Sequence, residues 1–183
     1  MPLSQLDATS ALIVIDLQKG IAAMNTAHPM SEVIARTREL ARAFRSRGLP
    51  VVLVNVAGRS PGRTDVGAPA FTFSADWTEL VPELDPQPTD ILVTKHRVGA
   101  FIGTSLDELL RERSVTQILL AGVSTSMGVE STARSAYDHG YNVVLVVDAM
   151  TDRDAGSHRH SVEKIFPRIG ETATTAEVIA RLT

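Results

Sequence analysis

Between Ile118 and Arg134 the sequence reads ILLAGVSTSMGVESTAR, an apolar run that stops at Gly122 and resumes as a helical pattern near Ser126. An apolar strand that ends in small residues and feeds a helix constrains the fold more than any other pattern in this chain. Such a strand needs cover on both faces, as in a parallel sheet. The first backbone N–H groups of the following helix have no partner inside it, so they are expected to converge on one point and hold an oxygen or a carboxylate there.

The same alternation recurs along the chain. Residues 10–16, SALIVID, form a continuous β-branched run with Asp16 at its carboxyl end, and residues 20–29 read as a loop. Ser31 is expected to cap a helix whose apolar stripe is Val33, Ile34, Leu40, Ala41 and Phe44, stopped by Gly48 and Pro50. Residues 51–56, VVLVNV, are a second buried strand, joined to the first by a right-handed crossover. A third covers residues 91–94 and ends at Lys95. Thr104 is then expected to cap a helix through Arg113, with Leu106, Leu109 and Leu110 inward and Asp107 at the capping-box position. A fourth strand spans 117–121, followed by the opening stretch and a helix to about residue 138 that stops at His139 and Gly140. A fifth covers 142–148, with Asp148 at its end. Val162, Ile165 and Phe166 suggest a helix on the sheet, and Thr174 or Thr175 caps a last one ending at Leu182.

Strands alternating with helices predict a doubly wound parallel α/β sheet in one domain, 1–183, with ligands at its carboxyl edge. Asp16, Lys95 and the 122–128 turn then meet at that edge. From residue 57 to 88 the chain is irregular, with Gly58, Gly62, Gly67, prolines at 61, 69, 82 and 86, Arg59, Arg63 and Trp77. A loop of this length reads as a lid or a subunit contact, and Arg59 and Arg63 are candidates for a substrate carboxylate.

Composition removes whole classes of function. With 183 residues and 44% apolar content the chain can bury a sizeable core, and no run of about 18 apolar residues marks a membrane span. The start MPLSQLD lacks a secretory signal's basic and apolar regions, so a cytoplasmic protein is expected. A net charge of −3 with 4% aromatic residues argues against nucleic-acid binding. The absence of Cys excludes disulfides, thiolate metal sites and a cysteine nucleophile. His158 and His160, spaced i and i+2, do not share a helical face, so no metal site is expected.

Taken in order, Val14-Ile-Asp-Leu-Gln18, Lys95-His-Arg-Val-Gly-Ala-Phe101 with Thr104 and Leu106, Gly122-Val-Ser-Thr125 with Val129-Glu and Thr132-Ala-Arg, and Asp148-Ala149 resemble the isochorismatase-like hydrolase superfamily over essentially the whole chain. The resemblance implies a Rossmann-like three-layer α/β/α fold with a parallel sheet of about six strands. It also implies no cofactor, a small-molecule substrate, a homodimer or homotetramer, and a cis peptide at Val123–Ser124. Most members use an Asp, Lys and Cys triad to attack an amide. Asp16 matches the aspartate and Lys95 the lysine, while the cysteine position falls on Gly128. Ser126 lies two residues earlier and is expected to point elsewhere.

The resemblance is therefore to the glycine-bearing branch of the superfamily; true isochorismatases also carry glycine at this position and hydrolyse an enol ether by protonating its vinyl carbon, a step that needs an acid rather than a thiol. Asp16 is the expected general acid, Lys95 its electrostatic partner, and Gly128 the position that leaves room for substrate. Gln18, Val123, Ser124, Thr125, Met127, Arg59 and Arg63 are the expected substrate-binding residues. The turn differs from that of isochorismatases, which carry Tyr-Ala-His where this chain has Ser124-Thr-Ser126, so the substrate is expected to be a small enol-ether or related carboxylic acid. Three alternatives stand beside this reading: an inactive member that binds a small molecule, an amidase using a water activated by Asp16, and a cysteine enzyme whose nucleophile was replaced by engineering.

Overall fold

A computed structural model describes residues 3–65, 67 and 74–182. Its centre is β1 (Ser10–Ile15), in which all six residues are buried. Two covered faces explain the unbroken apolar run. Leu12 and Val14 pack with Leu40 and Phe44 of α2 (Met30–Ser46) on one side. Ala11, Ile13 and Ile15 pack on the other with Leu106 and Leu110 of α3 (Leu106–Glu112), Ala133 of α4 (Glu130–Asp138) and Phe166. A short α1 (Lys19–Ala22) precedes α2.

The sheet runs β3-β2-β1-β4-β5-β6, every pair parallel, with β2 at Val51–Val56, β3 at Ile91–Lys95, β4 at Gln117–Val123, β5 at Asn142–Thr151 and β6 at Glu171–Ala173. The chain builds outward from β1 to β3, then crosses to the other side of β1 for β4. The connections after β1 and β4 therefore diverge, opening a crevice beyond their carboxyl ends. α5 (Ala155–His160) and α6 (Thr175–Leu182) complete the helices. None of the described helices is long and apolar enough to cross a membrane.

Several local expectations give way to tertiary structure. The helix expected to start at Ser31 begins at Met30, because the carbonyl of Pro29 accepts from Glu32 and Val33 N–H and no side chain caps it. Asp107 forms no capping box: its carboxylate accepts the Tyr141 hydroxyl at 2.7 Å and Arg111 Nε at 2.9 Å. Thr104 Oγ1 accepts from Leu106 N at 3.2 Å, so it does serve the start of α3, which ends at Glu112. Thr174 caps α6 in a true box with Glu177. β5 continues past Asp148 through an irregularity in its pairing with β4, and Asp148 turns to accept Thr175 N and Oγ1. Asp152, not Asp148, is the acid beyond that strand's end. β6, three residues long, carried too little pattern to be placed from sequence.

The irregular segment is partly stitched down. Gln18 pairs with Leu80, Lys19 N donates to Glu79 O, and Trp77 O accepts from Gly20 N and Gln18 Nε2. The Trp77 ring lies over Gly20, where any Cβ would run into it, so the tryptophan packs against its own chain. Pro69 falls outside the described residues.

Candidate active site

Asp16 leaves β1 with φ of 53°, in the left-handed region that short polar side chains tolerate. Its N–H still donates to Val54 O at 2.8 Å, so the departure from the strand begins at this residue. Two strands away Lys95, 2% exposed at the end of β3, sends Nζ to Asp16 Oδ2 at 2.7 Å and to Arg97 O at 3.3 Å. The second carboxylate oxygen, Oδ1, is buried and accepts no hydrogen bond from the described residues.

Burial pushes the Asp16 carboxyl up to about 6, against the opposing pull of the Lys95 ammonium. An acid in that range changes protonation near neutral pH.

The third part of the site is the turn after β4. Gly122, φ of 115°, lies directly beside β1, where a Cβ would run into the main chain of Ile15. The Val123–Ser124 peptide is cis, and a π-helical turn, Thr125–Val129, leads into α4. A Cβ on Gly128 would lie 3.0 Å from Ile15 Cγ2, 3.3 Å from Asp16 Oδ2 and 3.4 Å from Val123 O. Two of these distances are tighter than ordinary contact, so the glycine lets the turn lie close against Ile15 and the Asp16 carboxyl.

Three of the donors expected at this turn are engaged within the protein. Met127 N and Val129 N donate to Ser124 O, and Ser126 N donates to Asp152 Oδ2 at 2.7 Å. The wide π turn closes on its own carbonyl, and a buried acid takes the exposed donor. Ser126 Oγ also donates to Asp152, at 2.8 Å, so this hydroxyl is turned away from the pocket.

A pocket of about 180 Å³ opens over these groups, lined among others by Asp16, Lys95, Val123, Ser124, Met127 and Gly128. Arg59 also lines it, while Arg63 stands exposed and does not. Two further expectations are corrected. Gln18 is fully buried below the pocket, its amide tied to Val56 N, Val56 O and Trp77 O, because the edge of β2 and the returning segment need a polar bridge. Thr125 is also fully buried, its Oγ1 2.8 Å from Nδ1 of His158 behind the turn. His158 is held below its ordinary value by burial and by nearby His28, whose ring centroid is 4.6 Å away, against a raising influence from Asp152.

Sequence reasoning missed Arg97 and Arg153, both lining the pocket. Arg97 lies in the motif that contains Lys95, which was a usable signal. Arg153 was hidden because β5 runs three residues further than its apolar pattern. Among the described residues no cluster of three or more His, Asp or Glu side chains is arranged to hold a metal ion.

Asp152 fastens this architecture. Replacing it with Ala leaves the Ser126 and Arg153 main-chain donors without their acceptor, and is expected to cost about 2–3 kcal/mol, roughly 5–10 °C in Tm by thermal denaturation.

Comparison with known proteins shows the family and the fold. The isochorismatase domain family matches residues 10–177. The uncharacterized isochorismatase family protein YwoC of Bacillus subtilis is 39% identical over 180 residues, 94% of this chain and 94% of that protein. The solved structure of an isochorismatase family protein from Burkholderia thailandensis is 43% identical, with a TM-score of 0.93 and 97% of each chain covered. A cysteine hydrolase from Pseudomonas syringae pv. phaseolicola is 26% identical, with a TM-score of 0.81 over 96% of this chain and 92% of that one. With a parallel six-stranded α/β fold and family relatives along nearly its full length, this chain belongs to the isochorismatase family of hydrolases.

Proposed function

We propose that the protein, acting as a single domain, hydrolyses a small enol-ether or related carboxylic acid, with Asp16 as general acid, Lys95 as its electrostatic partner and no covalent intermediate. The observation that carries this reading is the Asp16 carboxyl itself: Oδ2 is held by Lys95 and lies beside Gly128, Oδ1 is buried without a partner among the described residues, and the group is raised to about 6. A carboxyl in that state is suited to releasing a proton, and position 128 offers no nucleophilic side chain.

The chemistry balances with water alone. The Asp16 proton adds to the terminal vinyl carbon, and the alkene electron pair forms the new C–H bond, leaving an oxocarbenium ion. Water adds to that cation and loses a proton, which restores Asp16 through solvent. The hemiketal then collapses: its C–O bond to the leaving group breaks, the hydroxyl proton passes to the departing oxygen, and an alcohol and a keto acid result. The protein's own contribution is to hold the proton on a buried, fixed carboxyl group, where placement and electrostatics strengthen its effect. We place this activity in a cytoplasmic homodimer or homotetramer.

The direction of the pH dependence separates the readings. As a general acid, Asp16 must be protonated, so kcat/KM is expected to be flat below pH about 6 and to fall about tenfold per unit above it. An Asp16 that activates water for amide hydrolysis must be ionised, and its rate would rise through the same range. The direct test incubates the protein with enol-pyruvyl acids and with N-carbamoyl and nicotinamide-type amides, products being read by mass spectrometry. Pyruvate release with a falling pH profile supports the proposal; turnover of amides alone, or ligand stabilisation without any turnover, overturns it.

A further inference from the structure

We propose that His158 is a positioning residue: its neutral ring, protonated at Nε2, fastens two walls of the active-site pocket, one through Thr125 and the other through His28. Only the location of the site is taken from the enol-ether reading.

Two segments outside the sheet line the pocket. The turn after β4 contributes Ser124, Met127 and Gly128, and residues 23–29, between α1 and α2, contribute Met24 and Thr26. Neither belongs to a ladder of paired strands, so contacts from behind decide where each one stands. His158, on α5, reaches both. Its Nδ1 lies 2.8 Å from Thr125 Oγ1, and its ring meets that of His28 edge to face, with centroids 4.6 Å apart and planes inclined at 62°. His28 is tied in turn to the end of β5, where Thr151 Oγ1 accepts from its main-chain N–H at 3.1 Å and lies 3.0 Å from its Nδ1. Asp152 holds the next residue of the turn, Ser126, so adjacent residues are fastened by two different groups. A misplacement of about 1 Å away from the reacting atoms can cost about 10²-fold in rate, which makes the seat of this turn a catalytic matter.

The buried hydroxyl assigns the proton. Thr125 is fully buried, and among the described residues its hydroxyl has no hydrogen-bond partner other than His158 Nδ1. A proton on Nδ1 would make the hydroxyl an acceptor and leave its own hydrogen buried without one, the costlier arrangement. With the hydroxyl donating, Nδ1 accepts and the single ring proton sits on Nε2. A second proton would remove that acceptor and set a charged ring against His28. Burial and His28 both hold His158 below its ordinary value, with Asp152 pulling the other way.

The test uses two variants that each keep one contact. His158→Phe keeps a ring against His28 and loses the acceptor; His158→Asn places an amide oxygen near the position of Nδ1 and loses the ring. Hydrogen exchange is followed by NMR on the ligand-free protein at pH 7. In His158→Phe the amides of Met127 and Val129, both donors to Ser124 O, are expected to exchange at least about tenfold faster than in wild type, with Ala27 and His28 within about threefold. In His158→Asn the two pairs are expected to exchange roles, while Leu119 and Val144 in the sheet stay unchanged in both variants and so exclude global destabilisation. Nitrogen-15 correlation spectra of the wild-type ring are expected to show it neutral and protonated at Nε2 at pH 6.5, where a free imidazole is about half charged. A proton on Nδ1, a charged ring at that pH, or loosening of the same amides in both variants or in neither overturns the proposal. On enol-pyruvyl acids His158→Phe is expected to lower kcat about tenfold, and His158→Asn to raise KM with kcat within about threefold of wild type; wild-type constants in both variants also overturn it. Exchange and spectra need no substrate, so absence of turnover sinks only the chemistry and leaves this inference to be decided by them.

Discussion

Asp16→Asn is expected to lower kcat on an enol-ether acid by about 10²–10⁴-fold, the range that a positioned general acid contributes. The amide keeps an oxygen for Lys95 Nζ and nearly the same shape, so the geometry of the 2.7 Å contact survives while the proton is lost. Because the substitution keeps the shape of the side chain and its contact with Lys95, KM is expected to change less than about fivefold. Stopped-flow or coupled measurement of keto-acid release gives both constants. Wild-type turnover in Asp16→Asn would falsify the assignment of the acid.

Lys95→Met has the second largest expected effect, and its signature is a displaced pH profile. Burial raises Asp16 and the Lys95 ammonium lowers it, so removing the ammonium leaves burial unopposed and moves the carboxyl further up. The descending limb of kcat/KM is expected to shift to higher pH, while kcat falls by roughly 10–100-fold because the carboxyl is no longer held toward the vinyl carbon. Stability changes in the same sense. A group whose folded value lies above its unfolded value of 3.8 contributes stability that is fully present below 3.8 and is lost as pH rises through the folded value. Lys95→Met is therefore expected to be nearest to wild-type stability at pH 5 and to lose about 3 kcal/mol relative to it at pH 8, where an uncompensated carboxylate would be buried. Urea titrations at the two pH values check this. A limb that stays at about 6 in the variant would show that the two groups do not act together.

The sites differ in how far they could be read in advance. Asp16 and Lys95 were legible because each ends a strand and parallel strands bring their carboxyl ends to one sheet edge, where the ordered motifs of the chain converge. Gly128 was legible through its place in an ordered motif. Gln18 and Thr125 were misread as substrate contacts because adjacency in sequence says nothing about which side of a turn a side chain takes. Arg153 escaped notice for a related reason, since its position follows from an irregular register between β4 and β5 that no periodicity encodes.

The alternation of β-branched runs with amphipathic helices determined the layered parallel architecture, because burying both faces of such strands leaves few other solutions. The absence of any thiol likewise excluded a cysteine nucleophile without coordinates. Only the tertiary structure decided which charges meet. The strand order brings residues 79 positions apart to 2.7 Å, and the same folding that buries Asp16 raises it toward neutrality. Ionisation and proximity are properties of surroundings supplied by distant parts of the chain, and local sequence pattern does not contain them.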